Sequence, residues 1–179
     1  MGYRANLPIE TYLDEEVIKQ RVEQLAKEIS DHYGDEEVVV VSVLNGSFMF
    51  CSDLVKKITS PVTLEFIAVS SYGSGMTSSG NVDFRLDLKK TIKDKNVLIV
   101  EDIVDTGLTL THVLKDFKAR DPKDLKVCSL LHKPSKTLHK VDIDYLAFEI
   151  KDQFVVGYGL DLDGRFRELP YIGIYRGES

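Results

Sequence analysis

Several residues with strong donor or acceptor groups follow an apolar run in the middle of the chain. The run covers residues 97–100, and the residues after it include Glu101, Asp102, Asp105, Thr106, Gly107 and Thr109. Ionised carboxylates only accept hydrogen bonds, so they suit the two neighbouring hydroxyl donors of a ribose diol. Threonine hydroxyls and the free backbone amides of a helix start suit a phosphate monoester. The stretch therefore predicts a site for a ribose 5-phosphate, with the diol on Glu101 and Asp102.

The elements around this stretch explain why it would form a site. An apolar run without polar alternation is typical of a parallel strand that is buried on both faces. From Thr109 onward the apolar residues recur at helical spacing, at Leu110, Val113, Leu114 and Phe117. The turn then lies at the carboxyl end of a strand and the amino end of a helix, where open α/β sheets bind ligands. We expect the backbone of Val104, Asp105, Thr106, Gly107, Leu108 and Thr109 to hold the phosphate, since Gly107 permits a close approach.

Hydrophobic spacing predicts further elements along the chain. Residues 11–32 have the spacing of an amphipathic helix, and Gly34 lies just past its end. Residues 38–44, 62–72 and 127–131 are predicted as strands, and residues 82–88 alternate as in a half-exposed strand. Strands that alternate with helices indicate an α/β fold with a largely parallel sheet.

Composition excludes several classes of protein. The 179 residues carry a formal net charge of −6 and a pI near 5.3, which argues against a nucleic-acid surface. No apolar run approaches the roughly 18 residues that span a bilayer, and no leader sequence is apparent, so we expect a cytoplasmic protein with no membrane partner. Cys51 and Cys128 lie in apolar surroundings and are expected to be buried free thiols.

The acidic stretch resembles the phosphoribosyl pyrophosphate motif of type I phosphoribosyltransferases, in which two acids precede Asp-Thr-Gly-x-Thr after an apolar strand. From about Val38 to Arg167 the chain is similar to hypoxanthine-guanine phosphoribosyltransferases. This resemblance implies a central, mainly parallel sheet flanked by helices, with a small hood built from the terminal segments. We expect a single domain over residues 1–179, with a core of about 34–150 and a hood of about 1–13 and 151–179.

The resemblance also implies a loop for the pyrophosphate group. Asn45 and Gly46 match this loop, in which the peptide after the second residue, Asn45, can adopt the cis form. Many relatives have a basic residue where this chain has Asn45, so a charge contact is missing here. Arg167 is expected to donate to the pyrophosphate, and a lid beginning at Ser71 and Tyr72 is expected to close over the reaction centre and exclude water.

For the base, the resemblance implies recognition by Lys133, Phe154, Val155 and Asp161. Lys133 matches a lysine that donates to the exocyclic oxygen of a 6-oxopurine, which an amino group at that position could not accept. Phe154 would stack on the purine and the Val155 backbone would contact its edge. The hydrophobic pattern alone instead predicts Phe154 as a core residue and Asp161 as a turn residue.

Mg²⁺ is the implied cofactor, because an acidic protein that binds a polyanion needs local cations. The resemblance assigns Glu101, Asp102 and Asp161 to the metal, and Asp105 is our candidate general base. The expected activity is transfer of a phosphoribosyl group to hypoxanthine or guanine by a homodimer or homotetramer. Two alternatives stay open: a regulatory protein that senses phosphoribosyl pyrophosphate, and a phosphoribosyltransferase for xanthine or a pyrimidine.

Overall fold

The computed structural model describes residues 8–70 and 83–177, and its main feature is a mixed six-stranded sheet. In chain order its strands are β2 (Val38–Leu44), β3 (Val62–Ser70), β4 (Asp83–Leu86), β5 (Asn96–Val104), β6 (Asp124–His132) and β7 (Tyr145–Glu149). They are arranged in space as β4-β3-β2-β5-β6-β7, and only the β3–β4 pair is antiparallel. Strand β5 therefore lies inside the sheet, and its carboxyl end points to the same edge as those of β2 and β6.

Helices cover both faces of this sheet. The helices α1 (Glu15–Tyr33) and α2 (Phe48–Val55) pack on one face, and α3 (Leu108–Lys118) packs on the other. Strand β2 shows the two-sided burial directly, because Val38 and Val40 belong to one apolar cluster whereas Val39 and Val41 belong to the other. A strand with no polar face is typical of a parallel sheet covered on both sides.

The first helix begins later than its hydrophobic spacing predicts. The prediction began at Thr11, but residues Ile9–Leu13 form strand β1 and α1 starts at Glu15. The Asp14 side chain accepts a hydrogen bond from the Val17 amide at 2.9 Å, so Asp14 is the N-cap. Apolar periodicity could not mark this boundary, because Leu13 and the helix both contribute to the apolar core.

A second, smaller sheet is built from segments near the two ends of the chain. Strand β1 pairs antiparallel with β9 (Ile172–Tyr175), which pairs antiparallel with β8 (Val155–Val156). The fold-class prediction is confirmed: the architecture is α/β with a mostly parallel central sheet and flanking helices.

Two further properties of the described residues bear on the sequence analysis. Cys51 and Cys128 are free and buried as expected, and burial raises the pKa of the Cys51 thiol to about 11. Within residues 8–70 and 83–177, none of the helices combines the length and apolar character required to cross a bilayer.

Candidate active site

Glu101 and Asp102 lie near the carboxyl end of β5 and face the same small cavity. Both residues are partly buried. Burial, together with the neighbouring Asp102 carboxylate, raises the pKa of Glu101 well above its ordinary value. Burial also raises the pKa of Asp102, although Glu101, the Ile103 amide and Arg167 act in the opposite direction. Two adjacent carboxylates with so little solvent favour hydroxyl donors or a cation as partners.

The cavity has a volume of about 210 Å³ and is lined by the whole turn that follows the acidic pair. Its lining residues are Val43, Leu44, Val69 and every residue from Glu101 to Leu110. Gly107 has φ 79° and is the N-cap of α3, so the first amides of this helix face the turn. Such amides have no partner inside the helix and attract anions. The cavity thus joins carboxylate acceptors to a set of amide and hydroxyl donors.

Asp105 follows directly on β5 and lines the same cavity. Its Oδ1 atom is buried and has no hydrogen-bond partner among the described residues. A buried carboxylate oxygen without a donor is costly for the free protein. This arrangement is expected of a group whose partner is a ligand.

The segment that follows β6 is hydrogen-bonded to the turn between β5 and α3. The Lys133 amide donates to the Val104 carbonyl at 2.9 Å, and the amides of Leu138 and His139 donate to the Thr106 carbonyl at 3.1 and 2.9 Å. A methyl group added at Gly107 would overlap the His139 carbonyl oxygen. Glycine is therefore required here both by its positive φ and by this close backbone contact.

Lys133, one of the residues expected to contact a base, begins this segment, and Phe154 and Val155 lie further along the chain. Lys133 is only 8% exposed, and its Nζ lies 3.8 Å from an oxygen of Asp152. Phe154 is 52% exposed, so the core position predicted from its hydrophobic pattern is wrong. Val155 is buried in β8, which leaves its backbone as the part that could read an edge of a ligand.

The pyrophosphate loop lies between the acidic pair and the carboxy-terminal segment. Asn45 is exposed and Gly46 is buried. A methyl group at Gly46 would overlap the Asp102 carboxylate, and a methyl group at Gly159 would overlap the Gly46 carbonyl oxygen. The cis peptide is Leu44–Asn45, one bond earlier than the resemblance implied. This close packing on both sides of the loop restricts its movement next to the acidic pair.

Arg167 and Asp161 are paired with each other. Arg167 Nη2 lies 2.7 Å from Asp161 Oδ1, and Arg167 Nη1 donates to the Gly159 carbonyl at 2.6 Å. Asp161 Oδ2 also accepts from the Gly164 amide at 2.7 Å. Within the described parts of the chain, no group of three or more His, Cys, Asp or Glu side chains could hold a metal ion. Asp161 therefore does not form a ready-made metal cluster with Glu101 and Asp102.

The remaining donor set nevertheless fits Mg²⁺. Glu101 and Asp102 offer carboxylate oxygens only, and Mg²⁺ is usually held by one or two carboxylates together with water and substrate phosphates.

Ser71 and Tyr72, expected to begin the lid, lie outside the described residues. The larger cavity, about 570 Å³, lies between α1, α2 and the segment around Tyr158 and Pro170, so volume alone would have pointed away from the acidic turn.

Comparisons with known proteins agree with this geometry. A family model for the phosphoribosyl transferase domain matches residues 8–163. The chain is 46% identical over 167 residues to a hypoxanthine-guanine phosphoribosyltransferase from Mycobacterium avium, covering 90% of this chain and 82% of that protein. It is 44% identical over 167 residues to a hypoxanthine phosphoribosyltransferase from Salmonella typhimurium, covering 92% of this chain and 94% of that protein.

Solved structures give the same result. A hypoxanthine-guanine phosphoribosyltransferase from Bacillus anthracis superposes with a TM-score of 0.88 at 41% identity, covering 92% of this chain and 97% of that one. The fold and the acidic turn define a phosphoribosyltransferase, and hence a transferase enzyme. Within that class, the chain belongs to the hypoxanthine-guanine phosphoribosyltransferase family.

Sequence reasoning missed two residues that shape the site. Asp152 forms the ion pair with Lys133, and Gly159 makes room for the Gly46 carbonyl. The Gly157-Tyr158-Gly159 spacing was a signal of tight backbone packing, since glycines within an apolar run mark close approaches. Asp152 gave no such signal, because a lone acid in a polar segment is ordinarily solvated.

Proposed function

We propose that this chain transfers the 5-phosphoribosyl group from phosphoribosyl pyrophosphate to hypoxanthine or guanine, giving IMP or GMP and pyrophosphate in purine salvage. The observation that carries the proposal is the 210 Å³ cavity. It brings two carboxylates and the donor-rich turn of α3 together, as a ribose 5-phosphate requires. The Lys133 amide is hydrogen-bonded to the Val104 carbonyl in the same turn, which supports a base site next to the sugar site.

The proposed reaction is a displacement at the anomeric carbon of the sugar. A ring nitrogen of the purine forms the new bond as the bond to the pyrophosphate oxygen breaks, and the purine's ring proton passes to Asp105. Asp105 lines the cavity, and its Oδ1 has no hydrogen-bond partner among the described residues, which supports this role because a general base needs a free oxygen to accept the proton. Glu101 and Asp102 would orient the ribose through its hydroxyls, and Asn45, Gly46 and Arg167 would hold the pyrophosphate.

Mg²⁺ is the proposed cofactor, held by Glu101 and Asp102, with Asp161 contributing once it separates from Arg167. When bound, the ion would neutralise charge on the diphosphate leaving group. The chain's own residues orient the sugar, accept the proton and select the base. Phe154 and Val155 would hold the purine, and Lys133 would donate to its 6-oxygen.

We also propose that the chain acts as a homodimer or homotetramer in the cytoplasm. The 570 Å³ cavity has an apolar floor that includes Ile18, Val22 and Leu169, and its rim carries both charge signs. In a two-fold interface the same patch faces its own copy, so a rim with both charge signs supports such a contact. Two free buried thiols are consistent with a reducing compartment. Sedimentation velocity tests the assembly directly, and a monomer at micromolar concentration would refute it.

One assay tests the proposed activity. Pyrophosphate release is measured with Mg²⁺, phosphoribosyl pyrophosphate and hypoxanthine, guanine, xanthine or adenine, each in turn. We expect turnover with hypoxanthine or guanine and none with adenine, because a lysine ammonium offers donors only. Turnover restricted to xanthine, or to uracil added as a fifth base, would instead favour the alternative transferases. Tight binding of phosphoribosyl pyrophosphate without turnover of any base would favour the regulatory protein.

The role of Lys133 is tested by the Lys133→Ala substitution. We expect it to raise the KM for hypoxanthine by about tenfold or more, the usual scale for losing a charged hydrogen bond, with the KM for phosphoribosyl pyrophosphate nearly unchanged. Equal losses for the two substrates would indicate general damage to the fold.

A further inference from the structure

We infer that Asp152 is a positioning residue for base selection, which holds the Lys133 ammonium in place without occupying its hydrogen-bond donors. This inference rests on the proposed function, because it concerns how Lys133 would read a 6-oxopurine. Asp152 would not touch the base itself. It would act through Lys133.

The need for a counter-charge follows from the burial of Lys133. The residue is 8% exposed, so its ammonium has lost most of its water and requires an anion nearby. Asp152 is the carboxylate with which it forms an ion pair in the described residues. The Asp152 side chain is 50% exposed, so the ion pair lies at the protein surface.

The length of the ion pair decides whether the hydrogen-bond donors of Lys133 are occupied. At 3.8 Å, the Nζ–Oδ1 distance is too long for a hydrogen bond, which ends near about 3.2 Å for N–H···O. Asp152 therefore attracts the ammonium, yet the N–H groups of Lys133 stay available for an oxygen acceptor. A shorter pair would compete with the base for the same donors.

Asp152 also pairs with a second lysine. Lys136 Nζ lies 3.2 Å from the other carboxylate oxygen, Asp152 Oδ2. Lys136 and Lys133 are held near each other by the short helical turn Pro134–Lys136, in which the Lys136 amide donates to the Lys133 carbonyl at 3.0 Å. The carboxylate is thus shared, with one oxygen for each lysine.

The test compares the product nucleotide IMP with an analogue that lacks the 6-oxygen expected to contact Lys133 and also lacks the proton on N1. Dissociation constants of IMP and of purine riboside 5′-monophosphate, which has hydrogen in place of the 6-oxygen, are measured by calorimetry for the wild type, Asp152→Asn, Asp152→Glu and Lys133→Ala. Asp31→Asn is the matched control, because Asp31 also pairs with a lysine but lies on the outer surface of α1.

For Asp152→Asn we expect IMP to bind about fivefold more weakly, the scale of a half-exposed ion pair, and purine riboside 5′-monophosphate to bind within about twofold of wild type. In steady-state assays the KM for hypoxanthine should rise while the KM for phosphoribosyl pyrophosphate stays constant. Asp152→Glu should recover part of the loss because it restores the charge, and Asp31→Asn should change nothing.

Three results would overturn the inference, and they can be told apart. Unchanged IMP binding in Asp152→Asn together with weak binding in Lys133→Ala would remove Asp152 from base selection and leave the proposed function intact. Equal weakening of both nucleotides would mean that Asp152 is only a structural residue. Unchanged IMP binding in Lys133→Ala would reject the role of Lys133 itself, and with it the inference about Asp152, whereas the proposed transfer reaction is decided separately by the pyrophosphate-release assay.

Discussion

Gly107 provides a sharp test of the phosphate-binding turn, because the chain contains a matched control. Gly107 has φ 79° and Gly164 has φ 78°. An alanine at either position meets the same torsional cost, about 1–2 kcal/mol for a left-handed backbone. The two sites differ in their surroundings, since a methyl group would overlap the His139 carbonyl oxygen at Gly107 but would meet nothing within 4 Å at Gly164.

The extra loss of stability at Gly107 follows from the hydrogen bonds between the turn and the segment after β6. The segment after β6 must move away to make room for the methyl group. This movement breaks the two hydrogen bonds from the Leu138 and His139 amides to the Thr106 carbonyl. At about 1 kcal/mol for each bond, Gly107→Ala should lose about 2 kcal/mol more than Gly164→Ala. For a chain of this size that difference corresponds to about 4–8 °C in Tm.

Differential scanning calorimetry and binding of phosphoribosyl pyrophosphate form the assay. We expect Gly164→Ala to lower Tm by about 2–8 °C and to bind like the wild type. Gly107→Ala should lower Tm further and bind at least about tenfold more weakly, since the amides that face the phosphate have moved. Equal Tm losses, with wild-type binding in both variants, would refute the idea that this turn is a rigid anion site.

Two further predictions concern the carboxylates. Glu101→Gln should raise the Tm of the free protein at pH 8 and hardly change it at pH 4. The pKa of Glu101 is raised in the folded state, so its carboxyl contributes its full stability below the unfolded-state pKa and loses that stability as the pH rises through the folded-state pKa. A Tm gain that does not depend on pH would contradict this explanation. Asp105→Asn should lower kcat by about 10²-fold or more with little change in phosphoribosyl pyrophosphate binding, whereas near-wild-type kcat would remove Asp105 from the role of base.

The fold was largely predictable because its strands are apolar on both faces. The run at residues 97–100 and the valines at residues 38–41 have no polar alternation, which a parallel sheet between helix layers requires. Strand β1 was not predictable in this way, because it is short and largely exposed, with partly buried positions only at its ends. Its partner β9 lies more than 150 residues away, and local spacing carries no information about such pairing.

The part of the candidate site that could be predicted is the part whose residues are consecutive in the sequence. Glu101 to Thr109 form one continuous segment, from the end of β5 to the start of α3, so their residue types alone indicated a sugar phosphate. Contacts between distant segments were not visible in the sequence: Gly159 against Gly46 and Asp152 beside Lys133 depend on how the carboxy-terminal segment folds over the sheet edge. The exposure of Phe154 is a similar case, since an apolar residue next to buried β8 is ordinarily part of the core.

The central claim is that Glu101 and Asp102 bind the ribose hydroxyls while the turn before α3 binds the 5′-phosphate. The most direct measurement is a crystal structure of the complex with Mg²⁺ and phosphoribosyl pyrophosphate. We expect hydroxyl oxygens of the ribose within about 3 Å of these carboxylates and the phosphate on the amides of residues 105–109. A sugar bound elsewhere, for example in the 570 Å³ cavity beside α1 and α2, with the acidic turn making no contact, would contradict the assignment.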